Sequence, residues 1–454
     1  MFEKLKKILS KVDADYADIR YEEKFDTTVT FNGKALTGLG SNTTDGYVLR
    51  VLKNGGFASV SFTLADDADA AVRNAQDSAI LVGKNNPEPV RLAAAVVVQD
   101  IYKPELTEDP RRISIEEKMA LTRQYNDISI GHDKIVSTDT SYMDQVREKY
   151  FMSTEGARIR EDLVTNLLRM RITAAAGNDI QTTMLGIGGS DGFAGIRNQE
   201  AQFENKTALA VDLLSAPPVA GGGHNVILNP MLAAVFTHEA FGHFSEADLI
   251  EDSPSMRERM AIGAKLGSEF LHITDDPTRL HQLGHYKYDD EGMAARPTRL
   301  MRNGVLVGRL HSRRTAACFG EPITGHCVAE DYRYAPIVRM GAIFIEPGDE
   351  SFDSLAARLG DGYYFVDSLG GQTSGENFTF TSQCGYRIRG GKKAELVRGT
   401  GISGNLYETL GNIVGVANDL TFDKIGGCGK IQVNLRSCNG APHILINDVV
   451  AGGA

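Results

Sequence analysis

The sequence has few cysteines and no long apolar run, so it offers little that suits a secreted or membrane-embedded protein. Its 5 cysteines are too few in 454 residues to form a disulfide framework. No run approaches the roughly 20 apolar residues of a membrane span. The N-terminal residues have the apolar spacing of an amphipathic helix and lack the apolar block of a signal peptide. We therefore expect a cytoplasmic protein without a membrane segment.

The sequence also has fewer basic than acidic residues. Lys and Arg number 48 against 59 Asp and Glu, which gives a formal net charge of −11 at pH 7. Nucleic acids and anionic membranes attract basic surfaces, so we expect no direct nucleic-acid partner and no membrane surface as a partner. None of the glycine-rich stretches is followed by the Lys-Ser or Lys-Thr pair that makes a phosphate-binding loop specific.

The composition indicates a folded protein of the α+β class. Hydrophobic residues make up 42% and charged residues 24%, close to the averages for globular proteins. The chain is too long for one ordinary core. We predict an N-terminal α/β region with antiparallel hairpins and helices over residues 1–215, with a subdomain break near residues 84–110. A β-rich C-terminal domain that carries a metal-binding helix is predicted over residues 216–454.

Local patterns predict individual elements within these two regions. Asn-Gly pairs between apolar runs are typical of hairpins, because both residues tolerate positive φ. Helical apolar spacing predicts helices over residues 66–81 and 115–128. The predicted strand pairs are residues 28–31 with 34–36, 47–52 with 57–62, and 134–142 with 145–153.

The segment after the predicted domain boundary carries the clearest chemical signal. Asn229 is a suitable helix cap and Pro230 suits the first helical position. The predicted helix then continues to residue 248 and contains His238, Glu239 and His243. Zinc hydrolases use two histidines of one helix to hold the metal and an adjacent glutamate to take the proton from water. His238 and His243 are therefore candidate metal ligands, and Glu239 is the candidate general base.

The spacing of the two histidines departs from the common form. They stand at i and i+5, which places them about 140° apart around a regular helix. Both could face one ion if the helix contains a single π-type turn, which Gly242 would tolerate. Glu239 and Glu246 fall on the same face. The alternative is that both histidines are ordinary surface or core residues.

Two histidines do not complete a catalytic zinc site, which usually has three protein ligands. Cys428 is the first candidate for the third, because flanking glycines allow close backbone approach and Lys430 favours the thiolate. Cys438 and Cys384 are the competing candidates. Each cysteine has the alternative of being a small buried hydrophobic residue. Arg339 or Lys430 could neutralise a developing oxyanion.

These residues resemble the signature of the TldD/PmbA family, whose members have often been labelled candidate modulators of DNA gyrase. The likeness extends through most of the chain. The segments that carry it are His238-Glu239-Ala240-Phe241-Gly242-His243 with Glu246 and Asp248, residues 46–52 and 54–57, Asp289-Asp290-Glu291-Gly292, residues 303–306, residues 336–340, and Gly427-Cys428-Gly429-Lys430.

The resemblance is to the TldD-like branch, which keeps the metal motif that PmbA (TldE) members have lost. It implies one zinc ion per chain bound by His238, His243 and Cys428, with Glu239 as general base, acting on unstructured peptides. It also implies a homodimer, or a heterodimer with a TldE/PmbA-like paralogue that lacks the motif. The alternative is a non-enzymatic regulator of the gyrase-modulator type, with a structural metal closed by a fourth ligand such as Glu246, or with no metal.

Overall fold

The structure is a computed structural model that describes residues 1–452. Among these residues, none of the helices combines the length and apolarity needed to cross a membrane. The helices are α1 (Phe2–Leu9), α2 (Ala68–Asn85), α3 (Ile115–Ile130), α4 (Glu200–Asp212), α5 (Pro230–Thr237), α6 (Ala247–Ile250), α7 (Pro254–Arg259), α8 (Arg313–Phe319), α9 (Phe352–Leu359) and α10 (Leu406–Gly411).

The first seven strands form one sheet with the order β3-β2-β1-β5-β6-β4, and β7 pairs with the remaining part of β6. All neighbours are antiparallel except β4, which runs parallel to β6. Helices α3 and α4 cover one apolar cluster of this sheet, and α1 and α2 cover another. The strands are β1 (Tyr16–Asn32), β2 (Ala35–Lys53), β3 (Gly56–Phe62), β4 (Gln99–Tyr102), β5 (Ile135–Ser153), β6 (Arg158–Ala176) and β7 (Asp179–Gly189).

Most local predictions for this half are confirmed. The N-terminal helix, both further helices and both Asn-Gly hairpins are present, with longer strands than predicted. Asn54 and Gly55 have φ of 52° and 76°, as the turn between β2 and β3 requires. The predicted pairing of residues 134–142 with 145–153 is wrong, because both ranges belong to the single strand β5. Asp144 does not form a turn; its carboxylate lies 2.7 Å from Lys118 in a buried ion pair.

The C-terminal half is rich in strands, which confirms the α+β class. Strands β15, β8, β24, β18 and β16 pair in that order, and β16 also pairs with β15, so the sheet closes on itself. A second sheet has the order β11-β10-β9-β14-β23-β20, and two hairpins stand apart from both. Helix α5 lies between the two larger sheets and is buried on nearly all sides. The division between residues 215 and 216 stays a prediction.

These strands are short except for β15 and β16. Their bounds are β8 (Gly222–Leu228), β9 (Ile273–Asp275), β10 (Thr298–Arg302), β11 (Val305–Leu306), β12 (Cys327–Val328), β13 (Ile337–Val338), β14 (Ala342–Ile345), β15 (Gly362–Ser374), β16 (Asn377–Arg389), β17 (Lys392–Val397), β18 (Gly401–Asn405), β19 (Ile413–Val416), β20 (Thr421–Phe422), β21 (Cys428–Lys430), β22 (Gln432–Leu435), β23 (Cys438–Ala441) and β24 (Ile444–Ala451).

Asn229 fixes the start of α5, as the sequence predicts. Its Oδ1 accepts hydrogen bonds from the backbone N–H of Leu232 at 3.0 Å and of Asp367 at 2.9 Å. Asn229→Ala is expected to lower the free energy of unfolding by about 1–2 kcal/mol, because it leaves buried N–H groups unpaired. Chemical denaturation measures this change. Asn42→Ala, at an exposed position of β2, is the matched control; an equal effect of the two substitutions would contradict the capping role.

Candidate metal centre

Helix α5 continues directly into a single π-type turn formed by His238–Gly242. The backbone N–H of His243 donates to the carbonyl of His238, which is the i to i+5 hydrogen bond of such a turn. The turn places both histidines on one side of the helix. Their ring centroids lie 4.8 Å apart, with the ring planes at 86°. The local distortion that the unusual spacing requires is therefore present in the backbone.

Gly242 is needed for packing and not for an unusual backbone angle. Its φ of −54° is ordinary for a helix. A Cβ atom at this position would lie 2.2 Å from the sulfur of Met340, so a larger residue would require the buried Met340 side chain to move. The close approach keeps the two histidines next to the segment that contains Arg339 and Met340.

The predicted single helix to residue 248 is wrong in its last part. A short 3-10 turn at His243–Ser245 ends the helix, and α6 starts at Ala247. Glu246, between them, has extended backbone angles of φ −79° and ψ 108°. The break turns the Glu246 side chain back beneath His243, where its Oε2 accepts a hydrogen bond from His243 Nδ1 at 3.4 Å.

Cys428 reaches the two histidines from a distant part of the chain. It lies at the start of the β21–β22 hairpin, and its Sγ is 3.5 Å from His243 Nε2. One ligand atom from each of His238, His243 and Cys428 can be chosen so that all three lie within 4.8 Å of one another. Cys438 and Cys384 lie in apolar clusters elsewhere. Burial raises the pKa of Cys438 to about 12 and that of Cys384 to about 11, as expected of inert core thiols.

A hydrogen bond orients each imidazole. His238 Nδ1 donates to Asn439 Oδ1 at 2.7 Å, and His243 Nδ1 donates to the carboxylate of Glu246. Because both partners accept at Nδ1, Nε2 is the nitrogen of each ring that is left to bind a metal ion. Asn439 was not predicted as part of the site. No motif or spacing in the sequence identifies it, since it lies in β23, a strand adjacent to the helix only in the folded protein.

Electrostatic interactions within the site favour the charged forms of Cys428 and His243. Burial by itself would raise the pKa of the Cys428 thiol, but its hydrogen bonds to His238 and His243 lower that pKa to about 5. Burial would lower the pKa of His243, but hydrogen bonds to Cys428 and Glu246 raise it to about 9. Without a metal ion, the centre is thus a thiolate next to an imidazolium. A divalent cation can replace the imidazolium proton as the partner of the thiolate.

Glu239 follows His238 in the π turn, and its side chain is half-buried. The two cations considered for the oxyanion both contact Glu246, and that suggested role stays a prediction. Lys430 Nζ contacts the carboxylates of Glu246 and Asp248, and the guanidinium of Arg339 is fully buried 3.3 Å from Glu246. Both cations thus face Glu246, behind His243.

Comparison with known proteins identifies the family. Three family models match the chain: PmbA/TldA metallopeptidase domain 1 over residues 17–79, the central domain over residues 108–215, and the C-terminal domain over residues 221–453. The chain is 35% identical over 442 residues to a metalloprotease of Synechocystis sp., covering 97% of this chain and 95% of that protein. It is 29% identical over 465 residues to a protein of Saccharolobus solfataricus named a zinc metalloprotease TldD homolog, covering 100% of both.

Solved structures share the fold. A Thermotoga maritima protein described as a candidate modulator of a DNA gyrase has a TM-score of 0.81 at 18% identity, covering 100% of both chains. TldE from Thermococcus kodakarensis has a TM-score of 0.76 at 16% identity, also covering 100% of both. At these identities the likeness concerns the fold alone.

The family models and the curated relatives identify the chain as a metallopeptidase. The chain belongs to the PmbA/TldD family of these enzymes. This membership confirms the resemblance seen in the sequence.

Proposed function

We propose that the chain is a zinc-dependent peptidase in which His238, His243 and Cys428 hold one zinc ion and Glu239 is the general base. The observation that carries the proposal is that ligand atoms of two imidazoles and a cysteine lie within 4.8 Å of one another, although Cys428 is far from the histidines in sequence.

The donor set fits zinc. Imidazole and thiolate are ligands that zinc accepts together, and three protein ligands leave the fourth tetrahedral position open. Both imidazoles are already oriented through Nδ1, as in most metal-binding histidines. An open fourth position is typical of catalytic zinc, whereas a structural site has four protein ligands. Among residues 1–452, the group of possible ligands around this point consists of these three side chains.

When bound, zinc would polarise the scissile carbonyl and lower the pKa of a water molecule. Glu239 takes the proton of the attacking water as the new C–O bond forms. It then delivers the proton to the amide nitrogen as the C–N bond breaks, so the leaving group departs as a neutral amine. Glu239 follows His238 directly in the π turn, and this adjacency to a candidate ligand suits the role.

We propose that the substrate is an unstructured peptide segment. A cleft of about 170 Å³ lies between the edge strand β3 and strand β13, with Phe57, Ser59 and Val338 in its walls. The carbonyl of Val338 accepts a hydrogen bond from Lys430, which links the wall of the cleft to the hairpin that carries Cys428. A strand edge offers unpaired backbone groups to an extended chain, and a folded domain cannot present its backbone in this way.

We further propose that the active particle contains two chains. The partner is either a second copy or a TldE/PmbA-like paralogue that lacks the metal motif, as family membership suggests. Light scattering of the purified protein, alone and with the paralogue of the same genome, would distinguish the two. A mass of one chain under both conditions would exclude the proposal.

The peptidase activity is tested with the zinc-loaded wild-type protein and a fluorogenic peptide of low structural content. We expect hydrolysis that disappears after treatment with a chelator and returns when zinc is added, because Glu239 alone cannot activate water enough. The same sequence placed in a stable folded domain should not be cut. A zinc-loaded protein that cuts no peptide in a diverse peptide library would favour the alternative of a binding protein with a structural metal.

A further inference from the structure

Four charged side chains form a buried cluster directly behind His243. The carboxylates are Glu246 and Asp248, and the cations are Arg339 and Lys430. Glu246 and Arg339 are 0% exposed and Lys430 is 7% exposed. The cluster is neutral as a whole, which reduces the cost of placing these charges away from water. Its members come from three separate segments of the chain.

Glu246 is the centre of the cluster. Its Oε2 accepts from His243 Nδ1 at 3.4 Å and from Lys430 Nζ at 3.0 Å. Its Oε1 accepts from the backbone N–H of Met340 and lies 3.3 Å from Arg339. One carboxylate therefore contacts both a histidine of the centre and the lysine that follows Cys428 by two residues.

Lys430 binds only groups that lie outside its own hairpin. Its ammonium donates to Glu246, to Asp248 at 2.7 Å and to the carbonyl of Val338 at 2.8 Å, which uses all three of its N–H bonds. Cys428 and Lys430 stand two residues apart in β21, and both side chains reach the histidine segment, since the Cys428 sulfur contacts His243 and the Lys430 ammonium contacts Glu246. Holding Lys430 against the helix segment therefore directs the sulfur of Cys428 toward the histidines.

Other contacts of the hairpin are made by β22. The side chain of Gln432 accepts from the backbone N–H of Glu330 and donates to the carbonyl of Ala335. The Glu330 carboxylate also accepts from two backbone N–H groups of β22. Strands β21 and β22 pair only with each other. At the turn between them, Ile431 has a φ of 64°, an unfavourable value for a β-branched residue, and its side chain is 89% exposed. β22 thus has anchors of its own, and in β21 the ion pairs of Lys430 act two residues from the cysteine.

We infer that Lys430 is a positioning residue for Cys428, anchored on Glu246 and Asp248, and that this ion-pair cluster joins the cysteine hairpin to the histidine helix. The inference rests on the proposed function, since it assumes that Cys428 is a metal ligand. Glu246 has a double role, because the same carboxylate orients His243 and anchors Lys430. The histidine helix and the cysteine hairpin are then coupled in metal binding through the side chain of Glu246.

Cobalt(II) is the probe that tests this inference, because a thiolate ligand gives it an absorption band in the near ultraviolet. Lys430→Met removes the ammonium and keeps the apolar part of the side chain. We expect about 10- to 100-fold weaker cobalt binding, as for other residues that support metal ligands. We also expect a weaker thiolate-to-cobalt band relative to the visible bands of the bound ion. Lys424→Met, at an exposed position of the same segment, is the matched control and should leave both unchanged.

Asp248→Asn provides a second variant if Lys430→Met does not fold, which thermal unfolding would show. It weakens one anchor of Lys430 and keeps the contacts of Glu246, so a smaller change in the same direction is expected. If the folded variants keep the wild-type affinity for cobalt and an unchanged thiolate band, the inference is wrong, but the proposed metal site is unaffected. Absence of the thiolate band in wild-type protein would overturn the proposed metal site itself, and the inference with it.

Discussion

Glu239→Gln is expected to lower kcat for peptide hydrolysis by about 10²- to 10⁴-fold, the usual contribution of a general base. Glutamine preserves the shape of the side chain but cannot take a proton from water. The zinc content should remain that of the wild type, because Glu239 is not among the three grouped ligands. Steady-state kinetics with metal analysis of the same preparation measure both quantities.

The matched control is Glu258→Gln, an exposed glutamate of α7 with the same change of charge. It should keep wild-type kcat and zinc content. Full activity of Glu239→Gln would rule out Glu239 as the base, whatever the metal content. Loss of zinc together with activity would instead assign Glu239 a role in metal binding.

Cys428→Ala and His238→Ala are each expected to reduce zinc from a near-stoichiometric amount to background. Each leaves two ligands, and a two-ligand site binds zinc far more weakly than a site with three protein ligands. Elemental analysis after dialysis measures the content. Equal zinc loss in both variants would show that the helix and the C-terminal hairpin form one site, although nearly 200 residues lie between them in the chain.

The control for this experiment is a second cysteine. Cys384→Ala removes a buried thiol from an apolar cluster that contains neither histidine, and zinc should remain bound. Zinc loss in Cys384→Ala with retention in Cys428→Ala would mean that the wrong cysteine has been assigned. If neither histidine nor cysteine variants change the metal content, the metal lies elsewhere and the proposed mechanism fails.

Local sequence patterns predicted much of the N-terminal half correctly. Asn54-Gly55 marks its hairpin because these two residues adopt positive φ easily, and this preference does not depend on the rest of the fold. The prediction failed within β5, where residues 134–142 and 145–153 were expected to be two paired strands. There Asp144 is buried against Lys118, which comes from α3. A buried ion pair between distant residues leaves no local signal.

The same distinction applies to the metal centre. The i,i+5 spacing of His238 and His243, with Gly242 before the second histidine, required a π-type turn, and the helix contains one. The sequence alone left three cysteines as candidates beside the histidines. Tertiary structure placed Cys428 there and put Cys384 and Cys438 in apolar clusters.

The sequence by itself thus determined the family, the fold class and the helix that carries both histidines, because these depend on residue identity and short-range spacing. Only the tertiary structure decided which cysteine meets them, that Asn439 and Glu246 orient the two imidazoles, and that Arg339 and Lys430 lie behind His243. These contacts join segments far apart in the chain. Their formation depends on the packing of whole sheets around α5, which no local pattern encodes.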